Sequence, residues 1–174
     1  MLCPYCSFEN IVGADTCDSC SQDLTSLENH GPKSNMEQSI LDTSLAHLGP
    51  KIPVMVSPDI SVENVITILQ ENHIGCVLVG SSDRIVGIFS ERDALNKVAG
   101  RFKEVAPQPI SRFMTSDPES LDANTPIAFA INEMSVGHFR HLPVTYKGKL
   151  EGVISIRDML QFLSSKYPEL IQAS

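Results

Sequence analysis

No stretch of this chain stays apolar for the ~18–20 residues that a helical membrane span requires, and no basic residue precedes Lys33. The first absence excludes a helical membrane protein. The second leaves residues 1–30 with five acids (Glu9, Asp15, Asp18, Asp23, Glu28) and nothing to offset them. The remaining residues hold 16 acids against 13 bases, so neither part carries the clustered positive charge that phosphate backbones attract. The opening "MLCPYC" has neither a basic region nor an apolar run, so no signal peptide is expected, and the reading is a soluble, cytoplasmic protein. Nucleophile-elbow and P-loop patterns are also missing, and the acidic pairs are scattered; no catalytic residue is assigned and no enzyme activity is expected.

What remains is enough for a core. The 174 residues are 42% hydrophobic and 20% charged, with net charge −8. That length favours one domain with a small appendage.

The appendage has its own signature. Four of the five cysteines form Cys3-x-x-Cys6 and Cys17-x-x-Cys20. A two-residue gap turns two thiolates onto one ion, and a second pair completes a tetrahedral site. So short a segment cannot fold on apolar burial alone. Metal binding, worth on the order of 10–16 kcal/mol, makes metal and fold one event. Two disulfides fit a reducing compartment poorly, and a redox dithiol needs one pair on a folded scaffold. The expected site is a closed, structural zinc centre, and the segment resembles a zinc ribbon or knuckle. Such modules often carry Gly after each pair; here Ser7 and Ser21 stand there. With five acids and no base, the module is expected to meet protein rather than nucleic acid.

Past residues 29–36, a polar stretch with a Gly-Pro step that reads as a hinge, Ile40, Leu41, Leu45 and Leu48 lie at helical spacing over Met36–Leu48, behind a Ser34 or Asn35 cap. Then the chain repeats itself. Shifted by 65 residues without a gap, Pro53 meets Pro118, His73 meets His138, and Gly87, Ser90, Arg92 and Asp93 meet Gly152, Ser155, Arg157 and Asp158. Apolar positions agree in the same register, which marks an internal repeat. Each copy predicts a short strand (Val54–Val56; Glu119–Leu121), then a helix capped by Asp59 or Ser61 in copy one, and by Thr125 with Pro126 at the first turn in copy two. Two strands follow (Cys76–Val79 and Ile85–Phe89; His141–Thr145 and Leu150–Ile154), with a last helix from Ser90 or Ser155. The predicted class is α+β, with the order β-α-β-β-α twice. One copy cannot cover its own sheet, so the two are expected to pack with pseudo-twofold symmetry and two clefts.

Ser-x-Arg-Asp opens a helix after a strand in both copies. Such a position has unpaired N–H groups that favour anions. The Ser hydroxyl either caps the helix or binds a phosphate oxygen, Arg offers a fork of donors to phosphate, and Asp, one turn on, can accept both hydroxyls of a ribose. For a single copy a plain capped helix start is the better reading; the duplication in matching context reverses that and favours a nucleoside phosphate site.

With "GIFSERD" and "GHFRHLPV…GKLEGVISIRDML", residues 50–165 resemble a tandem pair of cystathionine-β-synthase (CBS) domains, a Bateman module. The resemblance implies a regulatory protein that binds adenosine compounds such as AMP, ADP, ATP or S-adenosylmethionine, and a homodimer. It implies that Asp93 and Asp158 hold ribose hydroxyls, that Ser90, Arg92, Ser155 and Arg157 face phosphate, and that Ser120 lies near the base. Met55 departs from the pattern at the equivalent place in copy one. Arg140 and His141 would reach phosphate, where copy one has Gly75 and Cys76, so the cleft using Asp158 and Arg140 is expected to bind phosphorylated ligand more tightly. The expected layout is a zinc-ribbon-like module (1–28), a linker and leading helix (29–48), CBS repeat 1 (49–104) and CBS repeat 2 (105–170). The favoured function is a non-catalytic sensor that relays ligand binding to a protein partner through the zinc module or the dimer. The alternative is a nucleic-acid-binding transcriptional regulator that reads through the ribbon. Cys76 is expected to be a small core residue, and His73 and His138 to complement helix C-termini.

Overall fold

The computed structural model describes residues 2–11, 14–24 and 35–168. Most of the expected hinge, with His30 and Ser34, lies outside them. Two compact units divide the chain: Met1–Gly49 with Ala123–Arg140 and Ser155–Ser174, and Pro50–Asp122 with His141–Ile154.

The duplication is kept in the middle helix and the two long strands of each copy. Copy one runs β1 (Met55–Val56), α2 (Val62–Glu71), β2 (Cys76–Ser81) and β3 (Arg84–Ser90), after the leading helix α1 (Asn35–Asp42). It ends in a helical run: α3 (Glu91–Asp93), a π turn (Ala94–Val98), a 3-10 turn (Ala99–Arg101) and α4 (Phe102–Val105). After β4 (Thr115–Ser116), copy two runs β5 (Leu121–Asp122), α5 (Ile127–Val136), β6 (His141–Tyr146), β7 (Lys149–Ser155) and α6 (Ile156–Lys166). The middle helix and both long strands begin and end 65 residues apart in the two copies. The fold is α+β with two sheets, ordered β1-β2-β3-β4 and β5-β6-β7. β1 joins β2 in parallel, as β5 joins β6, and β3 is antiparallel to β2.

Strand periodicity explains how one sheet is used twice. Side chains alternate faces along β2. Val77 and Val79 join Phe89, Val62, Val65, Leu69 and Ile110 in the main core. Cys76 and Leu78 point the other way and pack with Ile88 and with Val153 of the second sheet. Each fully buried side chain of this size contributes about 1.5–3 kcal/mol. Cys76 is therefore a core residue, and burial, reinforced by nearby Glu91, pushes its thiol up to about 12. Gly152 is needed where Pro50 and Lys51 cross β7, since a Cβ there would lie 2.8 Å from the Lys51 carbonyl oxygen.

Helix α2 starts at Ser61, whose Oγ accepts from the Asn64 N–H at 3.3 Å, rather than at Asp59. Its buried Val62, Val65 and Leu69 form one stripe. Helix α5 begins one residue later than expected. Pro126 is its N-cap with no side-chain cap bond, and the Ile127 N–H is satisfied by the Thr43 carbonyl at 2.9 Å. That pairing also interrupts the expected helix over 36–48. Leu45 and Ala46 donate to the Thr125 and Ala123 carbonyls at 2.9 Å, so α1 stops at Asp42 and a 3-10 turn (Leu45–Leu48) follows. His73 and His138 recur for a backbone reason: both take left-handed φ (52° and 54°) just past α2 and α5. No helix among the described residues is long and apolar enough to cross a membrane.

Candidate functional site

At the N-terminus, two knuckles use the same backbone. Cys3 donates to the Phe8 carbonyl and Cys17 to the Gln22 carbonyl, while the Ser7 and Ser21 N–H groups return to Cys3 and Cys17 at 2.8 Å. Ser7 and Ser21 adopt φ of 56° and 57°, the left-handed turn where glycine would be at ease. These turns aim four sulfurs at one point. All lie within 4.8 Å of one another, with Cys3–Cys20 at 3.7 Å and Cys6–Cys17 at 3.4 Å. A tetrahedron with metal–sulfur bonds of about 2.3 Å has edges of about 3.8 Å, so the donor set fits zinc. Asn10, which the sequence reading passed over, is buried behind the cluster. Its Nδ2 donates to Cys17 Sγ at 3.5 Å and its Oδ1 accepts from the Asp18 N–H at 2.9 Å. Burial alone would raise the Cys17 thiol, but hydrogen bonds from the Cys20 and Ser19 backbone and from Asn10 outweigh it and bring it down to about 6.

The duplicated Ser-x-Arg-Asp forms the same device twice. The Ser90 N–H and Oγ–H donate to Asp93 Oδ2 at 3.0 and 2.6 Å, and the Asp93 N–H returns to Ser90 Oγ at 3.3 Å. In copy two the Ser155 N–H and Oγ–H donate to Asp158 Oδ2 at 2.7 and 2.6 Å, and the Asp158 N–H returns at 3.4 Å. Both are capping boxes, so one oxygen of each carboxylate fixes its helix start. A matching backbone bond holds each cap against the residue before the middle strand: Glu91 N–H to Gly75 O and Ile156 N–H to Arg140 O, each 3.0 Å. Arg140 is thereby tied to the second cap in one unit, while Gly75 occupies its place at the first.

The two copies part beyond this point. Asp93 Oδ1 meets Lys97 Nζ at 2.7 Å and Thr115 Oγ1 at 3.4 Å. Burial pushes the Asp93 carboxyl upward, but the Lys97 and Ser90 hydrogen bonds outweigh it and hold it below the usual carboxylate range. Sixty-five residues on from Lys97 stands Phe162. The His141 ring lies against Gly75, beside the first cap: a Cβ on Gly75 would sit 2.5 Å from His141 Nε2 and 3.6 Å from Glu91 Oε2. Arg92, Arg140 and Arg157 are exposed, as is Ser120 just before β5. Lys97 escaped the sequence reading, although its spacing of four from Asp93 on a helix was a signal for an ion pair.

Comparison with known proteins places this geometry. The family model of the CBS domain matches residues 50–100 and 110–165. An uncharacterized 17.7 kDa protein in the bps2 3′ region of Acidianus ambivalens is 29% identical over 123 residues, 70% of this chain and 73% of that protein. Among solved structures, a CBS-domain containing protein from Agrobacterium tumefaciens is 34% identical, with TM-score 0.64 over 69% of this chain and 98% of that one. A CBS domain protein from Pyrobaculum aerophilum complexed with AMP is 27% identical, with TM-score 0.61 over 71% of this chain and 99% of that one. The chain spans only 15–19% of the length of three longer CBS-domain relatives from Arabidopsis thaliana. With two matched copies over more than half its length, the chain belongs to the CBS-domain family.

Proposed function

We propose that the protein is a non-catalytic, cytoplasmic regulatory module that binds an adenosine-containing ligand (AMP, ADP, ATP or S-adenosylmethionine) through its paired CBS repeats. The observation that carries the reading is the duplicated Ser-x-Arg-Asp cap, taken with a relative of the same fold at 27% identity that is complexed with AMP. In this reading Asp158 and Ser155 hold the ribose, and Arg140 and Arg157 answer the phosphate. Arg140 suits that role because its carbonyl is pinned to the cap while its guanidinium remains exposed. At the first half, Ser90, Arg92 and Asp93 are the corresponding groups, with His141 beside the cap; Ser120, of copy two, is the residue near the base. Cys3, Cys6, Cys17 and Cys20 hold a structural zinc, and the acidic ribbon they close relays the ligand state to a protein partner within a homodimer.

The test is a thermal-shift series on the full chain with the four ligands. Ligand at 100 times its Kd stabilises a folded protein by about 2.7 kcal/mol, which for a chain of this size raises Tm by roughly 5–10 °C. A rise of that order with at least one ligand is expected; no rise with any at millimolar concentration contradicts the reading.

A further inference from the structure

The first repeat closes its own carboxylate. An ionised carboxylate offers about four acceptor positions, and four donors fill them at Asp93: the Ser90 N–H and Oγ–H on Oδ2, and the Lys97 ammonium and Thr115 hydroxyl on Oδ1. The ammonium is equally committed. Its three N–H groups have three acceptors: Asp93 Oδ1 at 2.7 Å, the Phe113 carbonyl at 2.9 Å and Thr115 Oγ1 at 3.5 Å. The Asp93 side chain is only 15% exposed and the Lys97 side chain 39%, so the carboxylate is the shielded partner of the pair. Lys97 lies within the π turn over Ala94–Val98, four residues after Asp93.

We propose that Lys97 is an internal competitor for ligand at Asp93, so that the first repeat accepts a ribose diol only when the ammonium withdraws. This rests on the adenosine reading above and adds to it the regulation of one half. A diol donates two hydroxyls, and Asp93 has no acceptor position left for them while Lys97 and Thr115 are seated. Nor does Lys97 serve as a phosphate ligand, because all three of its donors are in use inside the chain. Phe162, at the matching place in the second repeat, brings no cation.

The experiment is calorimetric titration of AMP into the full chain as wild type, Lys97→Met and Lys97→Arg, with far-UV circular dichroism of each variant. Lys97→Met keeps the aliphatic stem and removes the charge; Lys97→Gln is the substitute if the Met variant loses its helical signal. The expected result is one more AMP bound per chain in Lys97→Met than in the wild type, or binding at least about tenfold tighter, with Lys97→Arg unchanged. An unchanged or weaker Lys97→Met overturns the proposal. The wild-type trace judges the adenosine reading by itself. Wild-type binding with no gain in Lys97→Met defeats only the competitor, a gain without wild-type binding supports the competitor and removes the reading of the second half, and no binding by either protein overturns both.

Discussion

The two repeats begin their last helices with the same atoms and diverge one turn later. In each, a Ser at the strand end and an Asp three residues on form a capping box, with distances that agree within 0.3 Å. Copy one then runs into a π turn that contains Lys97, which pairs with the carboxylate, whereas copy two continues as a regular eleven-residue helix with Phe162 at the matching place. Before the cap, copy one has Gly75 with the His141 ring against it, and copy two has Arg140. Duplication preserved the element that starts the helix and let the surrounding charges change. A repeated motif therefore reports shared architecture more securely than shared binding.

The largest effect separates the repeats from the appendage. Chelation should unfold segments 2–11 and 14–24, where the proposed zinc would supply about 10–16 kcal/mol, and leave the amide spectrum of both repeats in place; loss of the repeats' signals would show that they depend on the ribbon. Within the repeats, Phe89→Ala should destabilise by about 3–5 kcal/mol and Ile154→Ala by about 2–5 kcal/mol in denaturant titrations, since each fills a fully buried strand position. A small loss in only one would mean that the cores are unequal. Arg140→Gly, which gives copy two the residue of copy one, should weaken AMP about tenfold while leaving unphosphorylated adenosine little changed; equal weakening would remove Arg140 from the phosphate.

Acid should also divide the copies. Asp93 has a folded pKa below its unfolded value of about 3.9. Between those values the unfolded chain binds more protons, so the Asp93 contribution is complete above the unfolded value and is lost as pH falls through the folded one. Lys97→Met should reduce that acid dependence; an unchanged acid limb would show that the ion pair does not set it. The smallest effect is in the ribbon, where Ser21→Gly relieves a left-handed serine and should stabilise the holo form by about 1 kcal/mol. A loss instead would mean that the Ser21 side chain is needed.

Much of the fold was legible because a gapless offset of 65 transfers every assignment between copies. The middle helices, long strands and Ser caps keep that offset in the structure. What was illegible depends on partners distant in sequence. The break after Asp42 arises because Leu45 and Ala46 bond to Thr125 and Ala123, and β4 exists because Thr115 and Ser116 pair with Ile88 and Gly87. At the cysteine cluster the Cys spacing was visible, but Asn10 was not, since nothing local ties it to Cys17. At the caps, Ser and Asp announced themselves through position, whereas His141 reaches Gly75 only through tertiary packing.

The claim that the two halves hold ligand unequally is tested most directly by titrating AMP into Asp158→Asn and Asp93→Asn beside the wild-type chain. The account predicts that Asp158→Asn abolishes or weakens binding at least about tenfold, while Asp93→Asn binds nearly as well as wild type. Equal losses, or a loss confined to Asp93→Asn, would contradict it.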